Sequence, residues 1–289
     1  MSVVNIPFSS YLELAKPRIL TLILITTALG FFLGGNGIVS FPLLAFTILG
    51  AGCVCAGASA LNHYLERDSD GKMERTKNRP IPAGIIAAHH ALAYGIILIL
   101  VGLCILILWV NLLTAFLSLL TAFLYVLVYT PMKKLSWLNT TIGAIPGAIP
   151  PMGGWAAATG QLDLGAWVLF LIMFLWQHPH FYAIAWMCKE DYRLAGFKML
   201  PVIDPQGVRT FRQIQIFSLI LIPISLLPFA FGIGGHFYRF AALVLGILFW
   251  REGRQLAFSR SSKDAVKLLK TSVLYLPLLF LLIVLDVSF

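Results

Sequence analysis

Amide and carboxylate side chains recur every fourth residue in the polar segment that follows the second long apolar stretch. They are Asn62, Glu66 and Asp70, and on a helix each is rotated only about 40° from the one before, so all three share a face. Hard divalent cations such as Mg²⁺ prefer oxygen ligands and are commonly held by one or two carboxylates, with water and substrate phosphates completing the shell. The spacing therefore favours a magnesium site. Asp68 would point to the opposite side of an ideal helix.

Basic side chains follow these acids directly. Arg75, Lys77 and Arg79 suit an anionic partner, because arginine can hold phosphate oxygens with two parallel donors. The order of acids and then bases predicts that the segment binds a metal and a diphosphate. The alternative is a charged loop with internal salt bridges, and spacing alone does not separate the two.

Two further polar groups are associated with the apolar stretch 164–187: one lies inside it and the other follows it. The first, Trp176-Gln177-His178-Pro179-His180-Phe181-Tyr182, lies inside an apolar helix, where polar side chains are costly and often functional. His178 and His180 would point about 160° apart on a regular helix, so only one is expected to face a cavity. The alternative is helix packing around a proline kink. The second group, Lys189-Glu190-Asp191-Tyr192-Arg193, follows on the same side of the membrane as the first charged segment, so the two can face each other.

Composition indicates an integral membrane protein with one domain over residues 1–289, because hydrophobic residues make up 59% of the chain and charged residues only 11%. About 20 apolar residues cross the hydrocarbon region of a bilayer. Nine stretches near that length predict an all-α, polytopic bundle of nine spans, with seven or eight left open: 19–36, 41–61, 89–109, 112–130, 138–158, 164–187, 214–233, 237–250 and 272–288. Glycines and prolines in the fifth stretch predict an irregular helix that lines a cavity.

The basic residues predict the orientation, since lysine and arginine in short loops are retained in the cytoplasm. With nine spans and a cytoplasmic N-terminus, every one of the 21 Lys and Arg except Arg239 lies on the cytoplasmic side. This topology accounts for the net charge of +9 without a nucleic-acid partner. No cleavable signal peptide is expected, so the first helix is retained.

These motifs resemble those of the UbiA superfamily of intramembrane aromatic prenyltransferases. The superfamily's first signature, Asn-xxx-Asp-xxx-Asp, corresponds to Asn62, Glu66 and Asp70. The continuation Asp70-xx-Met73-x-Arg75-Thr76-xx-Arg79-Pro80 is similar to the branch that farnesylates haem, as are Tyr129-Thr130 with Lys133-Lys134, the stretch 145–155 and the stretch 176–181. The second Asp-xxx-Asp motif of the superfamily is replaced by Lys189-Glu190-Asp191-Tyr192, as in that branch. This replacement leaves open how many carboxylates of the second loop touch metal.

The resemblance implies a helical bundle in a bacterial inner membrane, with a central cavity capped by cytoplasmic loops. It implies that Mg²⁺ and farnesyl diphosphate bind there, and that the farnesyl group is transferred to a vinyl group of protohaem IX (haem B) with addition of water. The products would be haem O and diphosphate, and the chain would contact a haem A synthase or a terminal oxidase assembly.

The resemblance also implies a role for each candidate residue. Asn62, Glu66 and Asp70 would hold Mg²⁺, and Glu190 and Asp191 would provide a second metal contact. The residues expected to bind substrate are Arg75, Lys77, Arg79, Tyr129, Lys134 and Lys189, with His178 and His180 as candidates for haem. The alternatives are a UbiA-type enzyme with another aromatic or tetrapyrrole acceptor, and a transporter, which would place carboxylates near the membrane midplane.

The charge distribution generates a topology prediction. Single cysteines introduced within 71–78 and 194–206 of a cysteine-free variant will react with a membrane-impermeant maleimide only from the cytoplasm, whereas cysteines within 159–163 will react only from the opposite face. External labelling of 194–206 would contradict the prediction, because the two charged loops could not then share a site.

Overall fold

The computed structural model describes residues 7–286 and contains no β-strand in that part of the chain. Its helices, in chain order, are α1 (Phe8–Leu14), α2 (Pro17–Gly34), α3 (Phe41–Asp70), α4 (Ala88–Trp109), α5 (Leu112–Phe123), α6 (Thr130–Leu135), α7 (Asn139–Thr159), α8 (Leu164–Met187), α9 (Lys189–Leu194), α10 (Leu200–Ile203), α11 (Val208–Ser225), α12 (Leu227–Ala230), α13 (His236–Ser259) and α14 (Ser262–Leu285). A π-helical segment, Leu124–Tyr129, joins α5 to α6.

Seven helical segments within the described residues are long and apolar enough to cross a membrane, so the expected polytopic helical bundle is confirmed. They are Pro17–Gly34, Phe41–Asp70, Ala88–Trp109, Leu112–Leu135, Leu164–Met187, Val208–Ala230 and Ser262–Leu285. Large apolar side chains such as Leu108 and Phe116 are exposed on these segments, as expected of a surface that faces lipid.

The expected nine spans are not confirmed, because seven segments of the described residues meet these criteria. The stretches 138–158 and 237–250 coincide with α7 and α13, which are long enough to cross a membrane but are not apolar enough to count among the seven. Most of α7 is buried against other helices, so it does not need a continuous apolar surface, and α13 carries several charged residues. The last two residues of the stretch 272–288 lie outside the described residues.

Glycines bring pairs of helices into backbone contact. Where α3 packs on α4, Gly57 faces Gly95 and Gly50 faces Gly102, and a Cβ at Gly57 would lie 2.5 Å from the carbonyl oxygen of Gly95. Small residues at such crossings let membrane helices approach closely. The crossing fixes the direction of α3, whose last two turns carry Asn62, Glu66 and Asp70.

The contact between α2 and α7 is closer still. A Cβ at Gly30 would collide with the carbonyl oxygen of Pro151, and one at Gly154 would collide with the carbonyl oxygen of Thr27. Gly153, the neighbour of Gly154, is buried but has no atom within 4 Å of the position of a Cβ. The two faces of α7 therefore differ, with one packed on α2 and the other beside open space.

This difference predicts opposite effects of one added methyl group. Gly30→Ala will lower the thermal unfolding midpoint in detergent, because overpacking costs roughly 1–3 kcal/mol. Gly153→Ala is the matched control and will leave the midpoint unchanged or slightly raised, since alanine favours helix. Equal destabilisation by the two substitutions would show that the packing of α2 on α7 is not as described.

Candidate active site

The last two turns of α3 carry three buried oxygen donors. The helix runs unbroken to Asp70, so Asn62, Glu66 and Asp70 lie on one face, and they are 0%, 6% and 0% exposed. A buried carboxylate is stable only when a cation or several hydrogen-bond donors compensate its lost hydration. Cations or hydrogen-bond donors must therefore lie against these three side chains.

Each of these three side chains has a cationic partner from a different segment. The Lys16 ammonium donates to Asn62 Oδ1 at 2.6 Å, and the Lys133 ammonium lies 2.6 Å from Glu66 Oε1. The Arg79 guanidinium donates through Nη1 to both carboxylate oxygens of Asp70, each at 2.8 Å. The start of α2, helix α6 and the loop after α3 thus converge on one face.

Lys16 is not among the site residues expected from the sequence. Its backbone is in the left-handed region, with φ 52°, and its ammonium also donates to the Tyr125 hydroxyl at 3.2 Å. Burial, together with the nearby charge of Arg79, lowers the pKa of Lys16 to about 7. Nothing in its spacing distinguishes it from Arg18, which is exposed.

The π-helical segment forms the wall opposite α3. The Thr130 hydroxyl donates to the carbonyl oxygen of Tyr125 at 2.8 Å and accepts from Asn62 Nδ2 at 2.9 Å. Tyr125 stacks on Tyr129, with ring centroids 5.7 Å apart. Single π-helical turns are frequent at functional sites, and this one places two tyrosines beside the oxygen donors.

Of the Lys133-Lys134 pair, Lys133 faces the oxygen donors, whereas Lys134 was the lysine expected in the site. The Lys133 ammonium faces Glu66 and lies 4.8 Å from the centroid of the Tyr129 ring. Lys134 is exposed and has no hydrogen bond or ion pair within the described residues. The π-helical segment interrupts the α-helical register before α6, so simple spacing did not reveal which lysine turns inward.

The two charged loops contact each other. Arg75 Nε lies 3.8 Å from Asp191 Oδ2, and its guanidinium lies 4.9 Å from the centroid of the Tyr192 ring. The backbone amide of Lys198 donates to the carbonyl oxygen of Lys133 at 2.6 Å, which ties the second loop to α6. The expectation that the loops face each other is met at these contacts.

Other expected site residues lie apart from the oxygen donors and interact locally. Lys77 pairs with Glu74 at 2.7 Å, and Glu190 pairs with Arg193 at 2.6 Å, on exposed surface. The Lys189 ammonium lies 4.5 Å from the centroid of the Trp186 ring. These contacts do not bring the three residues to the Asn62 face.

The two histidines of α8 both have partners within the protein. His178 bonds through Nδ1 to the carbonyl oxygen of Phe174 at 2.8 Å and through Nε2 to Thr141 Oγ1 at 3.2 Å. His180 bonds through Nδ1 to Ser272 Oγ at 2.7 Å and stacks on Trp176. Both rings thus hold helices together, and the geometry does not single out either one as facing a ligand.

The oxygen donors fit a divalent cation only with help from a substrate. No group of three or more His, Cys, Asp or Glu within residues 7–286 could hold a metal ion. Two carboxylates and one amide nevertheless form the partial, all-oxygen set that Mg²⁺ uses when phosphate oxygens complete its shell. The buried anionic face with bases on its rim is thus suited to a metal and a diphosphate together.

Comparison with known proteins agrees with this geometry. The model of the UbiA prenyltransferase family matches residues 23–281. This chain belongs to the UbiA prenyltransferase family. The protein named protoheme IX farnesyltransferase from Solibacter usitatus is 48% identical over 285 residues, covering 96% of this chain and 98% of the relative.

Solved structures of UbiA proteins share the fold. A structure of digeranylgeranylglyceryl phosphate synthase has a TM-score of 0.79 at 19% identity and covers 96% of this chain and 97% of that one. A UbiA homologue from Archaeoglobus fulgidus, bound to GPP and Mg²⁺, has a TM-score of 0.67 at 18% identity and covers 95% of this chain and 99% of that one. The expected UbiA fold is therefore confirmed, and the chain is a prenyltransferase.

The lysine pair generates a prediction about this site. Lys133→Met will lower the rate of prenyl transfer roughly tenfold or more, because a fixed cation at the expected diphosphate site is lost and Glu66 is left without its partner. Lys134→Met removes the same charge one residue away and will retain most of the activity. The rates should be compared for equal amounts of monodisperse protein. If Lys134→Met lowered the rate more than Lys133→Met, the original expectation that Lys134 binds substrate would stand.

Proposed function

We propose that this chain transfers the farnesyl group of farnesyl diphosphate to a vinyl group of protohaem IX, giving haem O and diphosphate. The main support is the buried face of Asn62, Glu66 and Asp70 with basic side chains around it. The choice of donor and acceptor rests on relatives named protoheme IX farnesyltransferase, of which two, at 48% and 43% identity, each span 96% of this chain.

Asn62, Glu66 and Asp70 are the residues that would hold Mg²⁺. The ion would neutralise charge on the diphosphate and so make it a better leaving group. Support comes from the donor set itself and from the Archaeoglobus fulgidus homologue, whose structure is bound to GPP and Mg²⁺. In this chain the three donors contact Lys16, Lys133 and Arg79, so these cations would exchange their protein partners for diphosphate oxygens when substrate enters.

The basic residues hold the diphosphate and stabilise the charge that it gains. Arg79 has Nη2 and Nε without a protein partner in the described residues, because only Nη1 bonds to Asp70. Arg75 lies in the same loop as Arg79, and Lys16 and Lys133 approach from two other segments. Fixed cations of this kind stabilise a leaving group without having to reorganise during the reaction.

In the proposed reaction, the donor's carbon–oxygen bond breaks before the new carbon–carbon bond forms. The bond between C1 of the farnesyl group and oxygen breaks, and its electron pair leaves with the diphosphate. The terminal carbon of the haem vinyl group then bonds to C1, which leaves a cation on the inner vinyl carbon. Water adds there and loses a proton, giving the hydroxyl group of a hydroxyethylfarnesyl chain.

Aromatic side chains beside the donor site suit an allylic cation. Tyr125 and Tyr129 stack on each other next to Asn62 and Lys133. The faces of aromatic rings attract cations, and their bulk keeps water away from the cation until the new carbon–carbon bond has formed. The second loop, held at Asp191 by Arg75, would cover the diphosphate.

The biological setting completes the proposal. We place the protein in a bacterial inner membrane with a cytoplasmic N-terminus; the candidate spans support a multi-pass membrane protein, and the orientation rests on the distribution of basic residues over nine spans. Haem O would then pass to a haem A synthase or to the assembly of a terminal oxidase.

The proposed reaction can be tested with purified full-length protein in lipid nanodiscs, supplied with haem B, farnesyl diphosphate and Mg²⁺. The expected product is haem O, identified by chromatography and mass, together with one diphosphate per haem O. Prenylation of a quinone precursor but not of haem B would instead assign the chain to another branch of the family.

Substitution of the carboxylates provides a sharper test of the site. Glu66→Gln and Asp70→Asn will each lower haem O formation at least about a hundredfold while the protein still inserts, because an amide is a poorer Mg²⁺ ligand than a carboxylate. Asp68→Asn is the control, since Asp68 is exposed on the same turn, and it will retain activity. Near-normal rates for both Glu66→Gln and Asp70→Asn would exclude these carboxylates as metal ligands.

A further inference from the structure

A cleft of about 350 Å³ adjoins the donor site on the side of the first long helix. It is lined by Glu13, Lys16, Pro17, Arg18, Ile19, His63 and Arg79. Two of these residues also belong to the donor site, because Lys16 contacts Asn62 and Arg79 contacts Asp70. A ligand in the cleft would therefore lie next to a diphosphate held by the same two side chains.

His63 is the most unusual residue of this cleft. It follows Asn62 on α3 and is 2% exposed, and neither of its ring nitrogens has a hydrogen-bond partner in the described part of the chain. A buried polar group without a partner costs roughly 1–3 kcal/mol. The two histidines of α8 each have at least one ring nitrogen bonded within the protein, whereas both ring nitrogens of His63 are without a partner in the described residues.

The cationic side chains of the cleft also have unused donors. The Arg18 side chain is exposed and has no hydrogen bond or ion pair within residues 7–286, and Arg79 uses only Nη1. Guanidinium groups bind carboxylates through paired, charge-assisted hydrogen bonds. Pro17 and Ile19 add an apolar border to this basic lining.

We propose that the cleft is the subsite for the carboxylate edge of the acceptor. Arg18 and Arg79 bind the propionates of protohaem, His63 donates a ring N–H to one of them, and Pro17 and Ile19 contact the apolar edge of the macrocycle. This inference rests on the proposed function and adds the means of acceptor recognition, which the diphosphate site does not supply. It moves that role from His178 and His180 to the start of α2 and the end of α3.

The test compares Arg18→Gln and His63→Leu with Arg67→Gln. Arg67 is the matched control, because it lies one turn after His63 but donates to the carbonyl oxygen of Tyr64 and does not line the cleft. KM is measured for haem B and for farnesyl diphosphate in nanodiscs, and the dimethyl ester of haem B serves as an acceptor with both carboxylates masked. Thermal unfolding of each variant is recorded beside the kinetics.

The expected result separates recognition from structure. Arg18→Gln and His63→Leu will each raise KM for haem B roughly tenfold, equivalent to about 1.4 kcal/mol, and leave KM for farnesyl diphosphate unchanged. His63→Leu will keep or raise the unfolding midpoint, because it replaces an unpaired polar group with an apolar one. Wild type will favour haem B over the ester, and both variants will lose that preference.

Three outcomes would overturn the inference. One is an unchanged KM for haem B in both variants, and another is an equal rise in Arg67→Gln. The third is an effect of Arg18→Gln that occurs only in nanodiscs with acidic phospholipid, which would assign the cleft to a lipid headgroup. Failure of wild type to form haem O would contradict the proposed function itself and is a separate result.

Discussion

The burial of two carboxylates at one end of a membrane bundle constrains everything around them. Glu66 and Asp70 are almost inaccessible to solvent, and each ionised group buried alone would cost several kcal/mol. The contacts with Lys133 and Arg79 offset this cost, and Lys16 donates a hydrogen bond to the neutral amide of Asn62. Because these cations come from separate segments, the ion pairs and this hydrogen bond draw the start of α2, helix α6 and the loop after α3 onto one face of α3.

The same compensation prepares the site for a charged substrate. Cations that already face the donors are in place to receive the oxygens of a diphosphate, so binding exchanges one set of ionic contacts for another and does not require new charges to be brought in. Preorganised cations contribute more to catalysis than mobile ones, since they do not have to reorient as the leaving group gains charge. The contacts of Arg75 with Asp191 and Tyr192 extend this arrangement to the second loop.

Local helical spacing made part of the site predictable, and tertiary contacts determined the rest. The four-residue repeat of Asn62, Glu66 and Asp70 placed them on one face because α3 is regular to its end. Lys134 was expected in the site and Lys133 was not, since the π-helical segment before α6 has no clear sequence signal. Lys16 lies 46 residues from Asn62, and its role depends on how α2 packs. The expected nine spans are not confirmed, and α7 falls outside the seven segments that meet the criteria because a helix covered by protein does not need a long apolar surface.

The central claim is that the Asn62, Glu66 and Asp70 face holds a divalent cation together with the diphosphate. Replacing Mg²⁺ with Mn²⁺ and recording pulsed electron paramagnetic resonance with farnesyl diphosphate bound tests it directly. The account predicts one tightly bound Mn²⁺ with a ³¹P coupling from the diphosphate, and loss of that signal in Asp70→Asn. Tight binding of farnesyl diphosphate with no ³¹P coupling, or an unchanged coupling in Asp70→Asn, would contradict it.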